Sequence, residues 1–315
     1  MYIERAYNSL SDLWRYIIGF VVVFVIGSQI IGTIPVFIVS FLKADNLNAL
    51  MVAAEDNLLP LFEDDVNSYL VLMLIPFVIG TIVLLIVLKY LHKQPLKELI
   101  TTRAKVDWKR VFFAFTIWAI FSIGSTLILY QVSPESFIWN FKLWPFLGLL
   151  AITLLILPIQ TSFEEFLFRG YLMQGMGIAA KNRWLPLVIT SVLFGLMHIL
   201  NPEIGKLGYA ILIVYIALGF FLGIITLMDD GMELALGFHA ANNMTIALLV
   251  TADWTALRTN SIFLDVSEPS TLGQIVATLI VLPILVLIFA KKYKWSNWKE
   301  KLFGKVNPPD QVDVV

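Results

Sequence analysis

Residues 144–178 read WPFLGLLAITLLILPIQTSFEEFLFRGYLMQGMGI, and this stretch decides the fold. Its first half is an unbroken apolar run; after Gln160 it turns amphipathic and carries Glu164, Glu165 and Arg169. A helix crossing a bilayer core needs about 20 mostly apolar residues. The stretch is too long for one perpendicular crossing, so it is expected to be strongly tilted or broken into two helices.

Working outward, comparable apolar runs lie near residues 16–42, 69–90, 111–130, 185–200, 207–228, 232–250 and 272–290. The run near 185–200 is short, and Pro186 suits its first turn. Of the 315 residues 59% are hydrophobic and 14% charged, against about 25% charged in an ordinary soluble domain. The expected fold class is all-α: a polytopic transmembrane helical bundle of about eight spans. Three segments are expected: a leader with the first three spans (1–143), a membrane core holding the polar residues discussed below (144–290), and a basic tail (291–315).

A net charge of −1 gives no support to nucleic-acid binding. The absence of cysteine excludes disulfides, thiolate metal sites and a cysteine nucleophile. The leader MYIERAYNSLSDLWR lacks the short apolar core and small-residue cleavage site of a secretory signal, so the first helix is expected to be retained.

Basic residues set the expected topology. With the N-terminus inside, 17 Lys and Arg fall on the inner side and four, Lys43, Lys142, Lys206 and Arg258, on the outer. By the positive-inside rule both termini are cytoplasmic. The acidic loop 43–67 agrees with an external face. Trp14, Trp108, Trp144, Trp184, Trp295 and Trp298 at span ends read as interface anchors, and Gly219 with Gly223 as a helix-packing seam.

Ionisable side chains inside a bilayer are costly, so those within spans are functional candidates by default. Glu165 and Arg169 are four apart and share a helix face, where they can neutralise each other. Glu164 is rotated by about 100° from Glu165 and is left for other work. Phe194 and His198 form a second group, and His239 with Asn243, again four apart, a third. Glu164 and His198 each stand 17 residues from Lys181, on opposite arms of a hairpin, so they are expected at similar depth. His239 and Asn243 start from the same side and reach about that level. Glu165 and Arg169 read as a buried pair bracing the helix, and His92, the remaining histidine, as a solvated loop residue without a role.

In order and on successive late spans, Glu164-Glu165-xxx-Arg169, Phe194-xxx-His198 and His239-xxx-Asn243 resemble the three motifs of the CPBP family. That family includes the type II CAAX prenyl endopeptidases and bacterial Abi-type proteins. The resemblance implies that 144–290 is a catalytic membrane core carrying out proteolysis within the membrane. It makes Glu164 the catalytic carboxylate and His198 its partner, with His239 and Asn243 completing the site.

The chemistry fits direct attack by water, with Glu164 and His198 moving protons and His239 and Asn243 donating to the oxyanion. No cofactor is favoured, since no His-Glu-x-x-His helix is present. The alternative is a zinc site formed by Glu164, His198 and His239. Expected partners are membrane lipids and a peptide or lipidated-peptide substrate, with no nucleic acid; the sequence does not select the substrate or set the oligomeric state. The rival classes are a non-catalytic membrane immunity or scaffold protein and a proton-coupled transporter, the latter disfavoured by the lack of repeated broken helices. The compact tails and lack of an organelle-retention signal favour a bacterial inner membrane.

Overall fold

The computed structural model describes residues 1–308 other than 56 and 257. The end of the expected basic tail, 309–315, lies outside the described residues. The chain is a helical membrane bundle. Among the described residues six helices are long and apolar enough to cross a membrane: α1 (Leu13–Lys43), α2 (Val66–His92), α3 (Trp108–Val132), α4 (Leu143–Ala180), α6 (Tyr209–Asp229) and α8 (Thr271–Tyr293). The two other expected spans are helices as well, but shorter: α5 (Trp184–Leu196) and α7 (Glu233–Leu249). At about 1.5 Å per residue neither reaches the roughly 30 Å of a hydrocarbon core.

Local chemistry sets the irregularities. In α1 a turn at Gly32 and Thr33 precedes Pro35. A Cβ at Gly32 would stand 2.6 Å from the Cα of Pro76 on α2, so only glycine admits that approach. Of the two ways to accommodate the long run around α4, the chain takes the break. Its first segment ends at Leu155, Ile156 leaves the helix, and a new segment starts at Leu157 with Pro158 in its first turn. Proline has no N–H to continue the preceding ladder, which makes this the natural break point.

One departure from an all-helical fold is a three-stranded sheet of Phe137–Trp139 (β1), Val250–Thr251 (β2) and Phe263–Asp265 (β3), in the order β1-β3-β2. β1 runs antiparallel to β3, pairing Phe137 with Asp265 and Trp139 with Phe263. β2 runs parallel to β3. The sheet joins the loops after α3 and α7 at one end of the bundle. At that end Asn67 donates to the Pro145 carbonyl (2.8 Å) and Asn260 to Asn67 (3.0 Å).

The basic segments gather at the opposite end. Arg5 bonds the Thr102 carbonyl and lies 3.3 Å from Glu98, Arg183 bonds Glu4, and Lys301 lies 2.8 Å from Asp230. Arg103 reaches both Asp229 (2.9 Å) and Glu233 (3.0 Å), and Arg110 reaches Asp229 at 2.5 Å. Trp295 is drawn into this network, its indole N–H donating to Asp229 at 3.0 Å.

The main core runs through the whole bundle, from Tyr2 and Val23 through Leu84, Phe163, Tyr171, Phe221 and Phe238 to Phe289. The first helices therefore pack directly on the motif-bearing ones. His92 corrects the sequence reading: it is buried, not solvated. Its Nδ1 lies 2.9 Å from the Leu10 carbonyl oxygen and its Nε2 2.8 Å from the Tyr171 hydroxyl, with the Tyr16 ring 4.5 Å away. The cause is that α2 extends to His92 and the N-terminal segment folds over its end, so the ring faces protein before the basic loop begins.

Candidate active site

The site is built on the second half of α4 together with α5 and α7. Gln160, Glu164 and Glu165 lie on the regular segment after the break, and the helix then widens to π geometry over Phe166–Leu172. Such local π winding recurs at functional sites because it re-aims side chains within a continuous helix. Here it carries Arg169, whose Nη1 lies 3.0 Å from Glu165 Oε1, and whose Nη2 donates to the Gly219 carbonyl at 3.2 Å. Both partners of the Glu165–Arg169 pair are buried. The guanidinium also stands 4.2 Å from the centre of the Phe194 ring. The two side chains do pair, and Arg169 also ties α4 to α6.

Glu165 does more than neutralise Arg169. Its Oε1 accepts a hydrogen bond of 2.7 Å from His239 Nδ1. Because a carboxylate can only accept, Nδ1 carries a proton. Nε2 of the same ring is turned towards Glu164 and lies 3.4 Å from its Oε2. The histidine closest to Glu164 is therefore His239.

The other oxygen of Glu164 ends a directed chain of hydrogen bonds. Trp118 Nε1 donates to Asn242 (3.1 Å), Asn242 to Asn243 (3.1 Å), Asn243 to Gln160 (3.1 Å), and Gln160 to Glu164 Oε1 (2.8 Å). Every donor points the same way, so successive dipoles polarise one another with their positive ends aimed at the carboxylate. The chain crosses α3, α7 and α4, and it holds Asn243 one step from Glu164.

His198 follows the end of α5. Its Nδ1 donates to the Phe194 carbonyl at 2.8 Å, which leaves Nε2 as an acceptor. Its ring stacks on Tyr215 of α6 at 4.1 Å with an interplanar angle of 14°. Phe194 lies between the two histidines, its ring 5.1 Å from His198 and 6.0 Å from His239.

Glu164, His198, His239 and Asn243 all line one cavity of about 650 Å³, whose walls are mostly apolar. Glu165 and Arg169 stand behind that wall. Gln160, Asn242, Tyr215 and Glu203 also face the cavity. Sequence reasoning gave these four no role, nor Trp118. Gln160, four residues before Glu164 on the same helix face, carried a readable signal; Trp118 and Tyr215 carried none, since only packing brings them here. Among the described residues no three His, Asp or Glu side chains are grouped to hold a metal ion. The set Glu164, His198 and His239 does not converge as a zinc site would require.

The model of the type II CAAX prenyl endopeptidase Rce1-like family matches residues 143–245, the stretch holding every residue of the three motifs. The chain is 32% identical over 250 residues to the uncharacterized protein YyaK of Bacillus subtilis, covering 78% of this chain and 81% of that one. No solved structure matches it. With a buried carboxylate, histidine and amide cluster inside a membrane bundle, and this match over the cluster, the chain belongs to the type II CAAX prenyl endopeptidase Rce1-like family of membrane proteases.

Proposed function

We propose that this chain is an intramembrane endopeptidase that hydrolyses a peptide bond of a membrane-associated or lipidated peptide with water activated by Glu164. One observation carries the reading. Glu164 faces a mostly apolar cavity with one oxygen held by Gln160 and the other 3.4 Å from His239 Nε2. A carboxylate so fixed in a mostly apolar cavity is suited to general-base chemistry.

In this mechanism a water at Glu164 Oε2 gives up one proton to the carboxylate as its oxygen attacks the substrate carbonyl carbon. His198 Nε2 accepts the hydrogen bond of the second water hydrogen and aims the nucleophile. The carbonyl π pair moves to oxygen, where His239 Nε2–H, in the protonated ring, and Asn243 Nδ2–H donate to the oxyanion. The proton on Glu164 then passes to the amide nitrogen, the C–N bond breaks, and a carboxylic acid and an amine leave. Glu165 keeps His239 oriented throughout, much as a buried carboxylate orients a catalytic imidazole.

The similarity to a Bacillus subtilis protein supports a bacterial plasma membrane as the location. The test uses the full chain in liposomes with a panel of lipidated and unlipidated hydrophobic peptides, read by mass spectrometry. Wild type is expected to cut at a defined bond, and Glu164→Gln to cut none while melting like wild type. Equal product from both, or none from either, would overturn the reading; a cellular phenotype surviving in Glu164→Gln would favour the immunity or scaffold class.

A further inference from the structure

Glu203 lies on the wall of the same cavity, five residues beyond His198, at the start of a short helix Glu203–Leu207. Its Oε1 accepts from the Ala256 backbone N–H at 2.9 Å. Its Oε2 is buried and has no hydrogen-bond partner among the described residues. Burial raises the pKa of this carboxyl, and the bond from Ala256 only partly opposes the rise.

Two basic side chains on the same side of the molecule are committed elsewhere. Arg258 on the cavity wall is held by Asp253 at 2.7 Å, and Lys206 by Glu268 at 3.0 Å. Among the described residues no cation pairs with Glu203. An unmatched carboxylate on a cavity wall, with one oxygen lacking any partner, is costly in the free protein, and a cation arriving with a ligand relieves that cost. A neutral donor would satisfy the oxygen and leave the charge.

We propose that Glu203 is a substrate-recognition residue that binds an ammonium or guanidinium side chain of the bound peptide. This rests on the peptidase reading, which puts the cut bond beside His198. The backbone from His198 to Glu203 is tightly turned, with Asn201 N–H on the His198 carbonyl (3.0 Å) and Ile204 N–H on the Asn201 carbonyl (3.1 Å). Taking 1.5–2.0 Å of rise per residue for so turned a backbone puts the two Cα atoms about 8–10 Å apart, or roughly three residues of extended peptide. The preferred substrates are hydrophobic peptides with a Lys or Arg about that far from the cut.

The test compares N-acetylated peptides identical except for Lys, Gln or Glu scanned through positions on either side of the cut. Wild type is expected to favour Lys over Gln by about tenfold in kcat/KM at one position. Glu203→Gln keeps the acceptor for Ala256 and should abolish that ratio; Glu203→Lys should favour the Glu peptide. Binding of the same peptides to full-length Glu164→Gln and to Glu164→Gln/Glu203→Gln is measured alongside. If wild type cuts nothing, the peptidase reading fails, and the binding ratio still decides the role of Glu203. A Lys-to-Gln ratio near one at every position, or one that persists in Glu203→Gln, would overturn the inference.

Discussion

Glu165 Oε1 lies 2.7 Å from His239 Nδ1, and this bond determines which nitrogen of the ring faces Glu164. The same oxygen meets Arg169, so a single buried carboxylate couples the helix brace to the orientation of the imidazole. Two adjacent glutamates therefore have separate work. Glu165 is turned into the protein and Glu164 into the cavity.

Removing Glu165 should cost both stability and activity. Glu165→Ala strands the buried Arg169 guanidinium and should lower the unfolding free energy by roughly 3–5 kcal/mol, measured by chemical denaturation in detergent. Glu165→Gln keeps the shape and should recover much of the stability while leaving the hydrolysis rate low. An Ala variant as stable as wild type would show that the brace carries no weight.

The hydrogen-bond chain ending on Glu164 predicts a graded effect. Gln160→Leu removes the donor to Glu164 and leaves Asn243 without its acceptor, and is expected to reduce kcat by roughly 10²-fold, comparable with loss of one oxyanion-hole donor. Trp118→Phe, at the far end, should lower kcat less and leave KM unchanged. Steady-state kinetics on one peptide would rank the two; a larger loss for Trp118→Phe would break the proposed direction of the chain.

Gly219 is one of the places where α5 and α6 touch. A Cβ there would stand 2.5 Å from the Ser191 carbonyl oxygen and 2.9 Å from its Cα, backbone atoms that cannot swing away. Gly219→Ala should therefore push the helices apart and destabilise by about 1–3 kcal/mol, visible as a lower melting temperature. It should also weaken activity, because the Gly219 carbonyl accepts from Arg169.

Metal removal should leave hydrolysis intact. No three candidate ligands are grouped among the described residues, so the purified protein is expected to hold no stoichiometric zinc and to cut peptides after chelation. Elemental analysis with activity before and after chelator checks this. Zinc at one equivalent with chelator-sensitive cleavage would reverse it.

Glu203 gives a pH-dependent stability prediction. Its folded-state pKa lies above the ordinary carboxylate value because of burial. The folded state thus favours the protonated form, and the associated stability is present at low pH and lost as pH rises through the raised pKa. Glu203→Gln should raise the melting temperature at neutral pH, with the gain shrinking as pH falls through the raised pKa and gone below the ordinary carboxylate value. A gain independent of pH would mean that charge is not the cause.

Read alone, the amino-acid sequence determined the bundle of apolar helices, the excess length of the run around α4 that had to be tilted or broken, the Glu165–Arg169 pair and the seam at Gly219. Each depends on properties local to one segment: apolar length, proline, and spacing of three or four residues on one helix. The sequence also brought Glu164, His198, His239 and Asn243 to one depth, since rise along a helix is fixed per residue.

Only the tertiary structure decided which of these side chains touch. Each residue turns a helix by about 100°, so the face a side chain presents to its neighbours depends on how the helix is rotated about its axis. That rotation is set by close approaches such as Gly219 on Ser191 and Gly237 on the Val111 carbonyl. Those contacts turned His239 onto Glu165 and Glu164, linked Asn243 to Gln160, buried His92 against Tyr171 and placed Glu203 on the cavity wall. Depth follows from the chain itself, whereas rotation follows from packing between segments far apart in sequence.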